Sequence, residues 1–168
     1  MTPRVRALIA FLAALSLAPA FHIGMEIKMI TPGLYRGRVP FREADFAELK
    51  RLGIRTILDI RGNTPITSKW ERRKAEAHGF KYINTPMGFR PLRDGSADPA
   101  LEALANEADY PLFLHCQLDR DRTSALIAAY RVQYQGWDID SAADEAYEFG
   151  IRRYFVGLNR YTRAGGMK

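Results

Sequence analysis

The stretch His115-Cys116-Gln117-Leu118-Asp119-Arg120-Asp121-Arg122-Thr123 decides how this chain is read. It follows the apolar run Leu112-Phe113-Leu114 and precedes a helix-like run from Ser124 to Tyr134. A strand, a five-residue loop between Cys116 and Arg122, and then a helix describe an anion cradle. Backbone N–H groups of a tight loop at a helix N-terminus converge and carry partial positive charge. Arg122 can hold two oxygens of a phosphate with its planar fork. A thiol in that field loses its proton readily, and the thiolate is the nucleophile. The chemistry indicated is transfer of a phosphoryl group to sulfur, followed by hydrolysis. The plain alternative for Cys116 is a buried structural thiol at a strand end. Cys-x5-Arg alone is a weak signal. His115 before it, Thr123 after it and the strand–loop–helix setting strengthen it.

The motif His-Cys-x5-Arg-Thr resembles the phosphate-binding loop of the protein tyrosine phosphatase superfamily. Leu34-Tyr35-Arg36-Gly37 and the stretch from Phe46 to Arg61 resemble the opening of compact dual-specificity phosphatases, in their atypical bacterial, fungal and plant branch. Pro111 to Cys116, Ala128-Ala129-Tyr130-Arg131 and Gln135-Gly136-Trp137 continue the likeness, which covers about residues 30 to 162. The resemblance implies a cysteine phosphatase acting on phosphate monoesters through a phosphocysteine, with no metal or other cofactor. Its substrates would be a protein phosphorylated on tyrosine, serine or threonine, or an inositol phosphate. The loop residues Gln117, Leu118, Asp119, Arg120 and Asp121 would then bind substrate. Arg120 stands where relatives acting on polyphosphorylated inositols often carry Lys.

Two positions depart from the family pattern. The family usually has Gly in place of Asp119 and often has Gly in place of Ser124. Asp is among the non-glycine residues that best tolerate a left-handed backbone. Its carboxylate has two expected placements. Aimed at the cradle, it would repel phosphate and leave a weakened, phosphate-binding pseudophosphatase. Turned outward, it would pair with Arg120. On the first placement, Asp119→Gly raises activity. Rhodanese-like sulfur transfer also uses a Cys loop before a helix, but His115 and Thr123 favour the phosphatase.

A phosphatase of this kind needs an acid to protonate the leaving oxygen. In the family it is an Asp on a loop ahead of the nucleophile strand, and Asp94 and Asp98 are the candidates. Asp98 is expected to cap a helix, so Asp94, in Pro91-Leu92-Arg93-Asp94-Gly95, is preferred over it; an ordinary turn Asp is its alternative. Asp121 beside Arg122 could brace the loop or handle a substrate proton. His115 is expected to hold the loop and favour the thiolate. Thr123 can serve the sulfur, cap the helix, or do both.

Composition sets the frame. The 168 residues are 47% hydrophobic, enough for a single domain with a real core. The net charge of +6 falls to +4 without Arg4 and Arg6, which suits an anionic substrate. Lys and Arg form no dense run interleaved with aromatics, so nucleic acid is not an expected partner. The single cysteine permits no internal disulfide. Arg4 and Arg6 precede a mostly apolar run from Ala7 to Ala20, and Ala18-Pro19-Ala20 offers a cleavage-like site. Residues 1–21 therefore read as a secretory signal or an anchor ahead of a domain over 22–168. Export to the periplasm is expected, with membrane association through residues 7–20 as the close alternative.

The body alternates strand and helix signals, which predicts an α/β fold with helices flanking a central sheet. Strands are expected at Leu34–Arg36, Thr56–Ile60, Lys81–Asn84 and Leu112–Leu114, the last of them central. Helices are expected at Arg42–Leu52, stopped by Gly53, and at Ser68–His78. A further helix is expected at Pro99–Glu107, capped by Asp98. Three more are expected at Thr123–Gln135, at Ser141–Phe149 with a Ser141/Asp144 capping box, and from Ile151 to about Tyr161. Met87 to Asp98 reads as one long loop.

Overall fold

The computed structural model describes residues 24–62 and 66–167. The expected leader, residues 1–21, lies outside the described residues. No helix among the described residues is long and apolar enough to cross a membrane.

Five strands form one mixed sheet: β1 Lys28–Thr31, β2 Leu34–Gly37, β3 Thr56–Asp59, β4 Lys81–Asn84 and β5 Leu112–His115. Their order is β1-β2-β5-β3-β4. β5 runs parallel to both β2 and β3, with His115 between Gly37 and Asp59. β4 extends the parallel part, and β1 closes the other edge antiparallel to β2. All four residues of β5 are buried, as an interior parallel strand requires.

The helices are α1 Glu43–Arg51, α2 Ser68–Ala77, α3 Pro91–Asp94, α4 Asp98–Ala105, α5 Asp121–Gln135, α6 Ile139–Glu148 and α7 Val156–Arg163. α1 and α2 cover one face of the sheet around Phe46, Leu49, Ile57, Ala75, Tyr82 and Phe113. The opposite face packs Leu58, Leu112 and Leu114 against Leu101, Leu126 and Leu158. α5 is buried on all sides from Thr123 to Arg131 because α4, α6 and α7 surround it. Successive strand residues point to opposite faces. β5 thus sends Phe113 and His115 toward α2, and Leu112, Leu114 and the following Cys116 toward α5.

The expected strands form within a residue of the boundaries read from sequence, and Gly53 ends α1 with φ +75. Several details differ. β1 was not expected, and the loop from Met87 to Asp98 contains the short helix α3, begun by Pro91 and closed by left-handed Gly95. Ala97 is the N-cap of α4, so Asp98 is its first helical residue rather than its cap. Asp138 caps α6 by accepting the Ser141 N–H at 2.8 Å, so the helix starts two residues earlier than Ser141. The last helix begins only at Val156; ahead of it Asp121 holds Arg152, whose carbonyl accepts the Phe155 N–H at 3.1 Å in a turn.

Gly37, at the end of β2, is the tightest point beside the site. A Cβ there would fall 2.9 Å from the Phe113 ring and 3.0 Å from the Met25 carbonyl. Gly37→Ala should lower stability by about 1–3 kcal/mol, the usual cost of overpacking. Urea denaturation measures it, and an unchanged midpoint would contradict this packing.

Candidate active site

The loop from Cys116 to Arg122 lies at the C-terminal end of β5, where open α/β sheets bind ligands. Cys116 is buried and its thiol is free. Burial alone would push that thiol up. The Thr123 hydroxyl, the backbone N–H groups of Arg120 and Leu118, and the Arg122 charge outweigh it and hold the thiol below its ordinary value. The Thr123 Oγ1 is buried and committed to no other group among the described residues, so its hydroxyl is free to turn to the sulfur.

Arg122 is half-buried. Its Nη1 reaches the Ile60 carbonyl at 3.4 Å and the Met87 carbonyl at 3.5 Å, and its guanidinium lies 5.0 Å over the Phe89 ring. Among the described residues it has no carboxylate partner, so its charge remains available to an anion above the loop. Gln117 and Leu118 face outward at the rim. The Arg120 side chain lies along Gly150, with its Nε 3.7 Å from Asp121.

Asp119 takes neither of its two expected placements. Its backbone is left-handed, with φ +49. Its carboxylate pairs with Arg36, a fully buried side chain on β2: Arg36 Nε donates at 2.8 and 3.0 Å to the two carboxylate oxygens. Arg36 Nη2 donates to the Asp119 carbonyl and to Ser124 Oγ, both at 2.9 Å, and the guanidinium stacks 4.2 Å over Phe149. The two residues that depart from the family pattern therefore share one partner. Arg36 draws the Asp119 carboxylate away from the cradle, so the expected repulsion of phosphate has no geometric basis. Asp121 is likewise committed elsewhere. Arg152 holds its carboxylate with the backbone N–H at 2.9 Å, Nε at 3.0 Å and Nη2 at 2.6 Å. It braces the loop against the link before α7, and its carboxylate is not turned toward substrate. As binding residues, Asp119 and Asp121 can contribute only backbone.

Beneath the loop is a charge network that sequence reasoning missed. His115 Nδ1 lies 2.9 Å from the Cys116 carbonyl, and its Nε2 lies 2.8 Å from Glu71 Oε1 on α2. Arg61 pairs with both Glu71 and Asp59, and Tyr82 donates its hydroxyl to Asp59 at 2.7 Å. Arg61 Nη1 also reaches Gln117 Oε1 at 3.4 Å. Asp59, Glu71 and His115 bring potential ligand atoms within 4.8 Å of one another. The Arg61 guanidinium bridges the two carboxylates and supplies the positive charge, so this is a closed ion-pair network rather than a cation cage. Burial would push the His115 imidazole down, but the carboxylates of Glu71 and Asp59 raise it to about 9. The ring is thus an imidazolium at neutral pH, held under the cysteine backbone.

Asp94 ends α3, and its Oδ1 accepts the Ser96 N–H at 2.9 Å. Bonding to Ser96 holds its carboxyl below the ordinary value. Its Oδ2 lies 2.7 Å from where a Cβ on Gly88 would stand, next to the Phe89 ring that covers Arg122. Asp94 therefore belongs to the segment bordering the loop, whereas Asp98 sits in the first turn of α4.

Comparison with known proteins agrees with this architecture. The model of the tyrosine phosphatase family matches residues 25–156, and the chain belongs to that family. The dual specificity protein phosphatase TpbA of Pseudomonas aeruginosa (strain UCBPP-PA14) is 25% identical over 135 residues, covering 80% of this chain and 59% of that protein. The crystal structure of P. aeruginosa TpbA superposes with a TM-score of 0.68 at 25% identity, covering 82% of this chain and 83% of that one. The core catalytic domain of the PP-IP phosphatase SIW14 from S. cerevisiae shares the fold, with a TM-score of 0.68 at 22% identity over 81% of this chain and 82% of that one. An inositol diphosphatase of Arabidopsis thaliana, DSP3, is 26% identical over 126 residues, covering 71% of this chain and 60% of that protein. The chain thus spans about three fifths of the length of the TpbA and DSP3 sequences.

Two outcomes follow from the buried charges. Asp119→Gly leaves Arg36 buried without its counter-charge, a loss of roughly 3–5 kcal/mol, offset by roughly 1 kcal/mol of relieved left-handed strain. Stability and kcat/KM should both fall, and Asp119→Asn should lose less; a gain in both for Asp119→Gly would contradict the pairing. The second outcome concerns pH. The folded pKa of His115 lies above its ordinary 6.5, so the stability it supplies is complete below about pH 6.5 and is lost as pH rises through about 9. In Cys116→Ser, which removes the opposing thiol titration, the denaturant midpoint should fall across that window. Adding Glu71→Gln should flatten the fall.

Proposed function

We propose that this chain is a cysteine-dependent phosphatase that hydrolyses phosphate monoesters through a phosphocysteine. The observation that carries the reading is the pairing of a thiol held toward its ionised form with an Arg122 guanidinium that no carboxylate among the described residues neutralises. The dual-specificity phosphatase relative and the inositol diphosphatase relative support it.

In the proposed first step, the Cys116 thiolate attacks phosphorus in line with the ester oxygen. The P–O bond breaks as the P–S bond forms, and Asp94 gives its proton to the departing oxygen. Loop N–H groups and Arg122 hold the equatorial oxygens, where charge spreads in the transition state. In the second step, water attacks phosphorus and gives a proton to Asp94. The P–S bond breaks, returning the thiolate and releasing inorganic phosphate. Asp94 must arrive protonated, and a phosphate dianion nearby raises a carboxyl pKa. Release of its bond to Ser96 completes the change. Thr123 stabilises the sulfur as it leaves.

Two recesses flank the loop and bear on substrate. One of about 380 Å³ opens beside Gln117 and is walled by Val39, Phe41, Ile66 and Trp70, with the Phe41 and Trp70 rings 5.4 Å apart. It suits the aromatic ring of a phosphotyrosine. The other, about 290 Å³, presents Lys28, Arg38 and Arg120 beside Leu118, with Glu26 and the Arg36-paired Asp119 also on its wall, and its excess of basic groups suits the further phosphates of an inositol polyphosphate. Comparing kcat/KM for a phosphotyrosine peptide and an inositol polyphosphate ranks the two.

The purified protein should turn over an aryl phosphate, and Cys116→Ser should abolish turnover while keeping its cooperative melt. Arg122→Lys keeps the charge but loses the fork, and should lower kcat and raise KM. Asp94→Asn should lower kcat by roughly 10²–10⁴, with the larger loss on alkyl phosphates, whose leaving oxygen needs the proton more. Retained turnover in Cys116→Ser would overturn the covalent route, and an acid-quenched, phosphorylated Cys116 in wild type would support it.

A further inference from the structure

Several arginines of this chain are held by carboxylates. Arg36, Arg61, Arg131 and Arg152 each bind a carboxylate. Away from the Cys116 loop, three that are not so held gather in one place. A cleft of about 390 Å³ between α3 and the start of α7 is lined by Arg90, Arg93 and Arg160, with Leu92, Val156 and Gly157. Among the described residues no carboxylate lines it, and none of these three arginines forms a side-chain ion pair or hydrogen bond. An adjoining recess of about 320 Å³ shares Val156 and Arg160 and adds Arg153 and Arg163.

The walls are held in place independently of the arginines. Phe89 stacks on Phe155 with ring centroids 4.8 Å apart. Gly157 lets the start of α7 close on the Phe89–Arg90 backbone, since a Cβ there would fall 2.2 Å from the Phe89 carbonyl. Three like charges line this concavity, and because Arg90, Arg93 and Arg160 are exposed, solvent screens their mutual repulsion and leaves them open to an incoming anion. Such an arrangement is favourable when a multiply charged anion occupies it, with planar guanidinium forks matched to phosphate oxygens.

We propose that this cleft is a second anion site, separate from the Cys116 loop, that takes the phosphate groups of a polyphosphorylated small molecule. No loop residue lines it, and its occupancy does not require chemistry at Cys116. The adjoining recess, with Arg153 and Arg163 beside the shared Arg160, offers further guanidinium groups to a ligand with more than one phosphate. A bound anion would also bridge Arg93, the neighbour of Asp94, to Arg160 on α7. The cleft thereby ties the segment carrying the proposed acid to the helix behind it.

Calorimetric titration of the full chain tests this, with inorganic phosphate and myo-inositol hexakisphosphate as probes. The Cys116→Ser protein should bind the hexakisphosphate at two independent sites. Arg93→Gln combined with Arg160→Gln should weaken one of them by roughly tenfold or more, as loss of charge-assisted contacts implies, and leave the other unchanged. Inorganic phosphate should bind the cleft more weakly than the hexakisphosphate; equal affinity would assign the cleft to a lone phosphate and overturn the polyphosphate assignment. A single site insensitive to the double variant would overturn the proposal altogether. So would a double variant that loses binding to phosphatidylglycerol vesicles while both hexakisphosphate sites persist, since that assigns the arginines to a lipid surface. Turnover of an aryl phosphate by the double variant distinguishes the cases further. It stays near wild type if the cleft is a separate site, whereas a phosphatase reading that fails leaves turnover absent in wild type as well.

Discussion

β5 is paired on both edges and buried on both faces, and this constraint arranges nearly everything at the site. A parallel strand between two parallel neighbours must end where they end, so the chain emerging from it meets the ends of β2 and β3. The pleat then divides labour between consecutive residues. His115 falls on the α2 side, beside the carboxylates of Asp59 and Glu71. Cys116 falls on the α5 side, where the loop supplies the N–H groups of Leu118 and Arg120 and the helix supplies Thr123. A shift of one residue in this strand would exchange the two and leave a thiol among carboxylates.

The loop is supported by three ion-pair systems from three directions. Arg36 reaches in from β2, Arg152 from the link before α7, and the Asp59–Arg61–Glu71–His115 network from below. Each neutralises an acidic or basic group that would otherwise disturb the field above the sulfur. A carboxylate near the cradle is tolerable when its charge is answered from behind. Buried pairs of this sort contribute little net stability, but losing one partner is expensive. Their effect is to fix where the backbone amides point.

Much of this was legible in the sequence. The motif from His115 to Thr123 located the loop, its strand and its helix, because strand, loop and helix N-terminus are local matters. Gly53 and the apolar spacing of Phe46 and Leu49 gave α1 for the same reason. The long-range partners were hidden. Glu71 sits among Lys69, Arg72, Arg73 and Lys74, so α2 reads as a solvated helix, yet Glu71 is fully buried because His115 and Arg61 await it. β1 escaped notice because an edge strand with two exposed residues shows little alternation. Asp119 could be assigned a left-handed backbone from its side chain alone, but the choice of Arg36 over Arg120 depends on which strand lies beneath the loop.

The shared partner of Asp119 and Ser124 has a consequence for how such a loop can change over generations. Arg36 spends its Nε on one residue and its Nη2 on both. Neither side chain is therefore an independent trait: glycine at 119 would remove both Nε contacts, glycine at 124 would remove one from Nη2, and the Asp119 carbonyl would keep the last. The three positions form one structural unit whose members are far apart in the chain and adjacent in space. Loops transplanted between relatives of this family will carry their behaviour with them only when the residue on the neighbouring strand travels too.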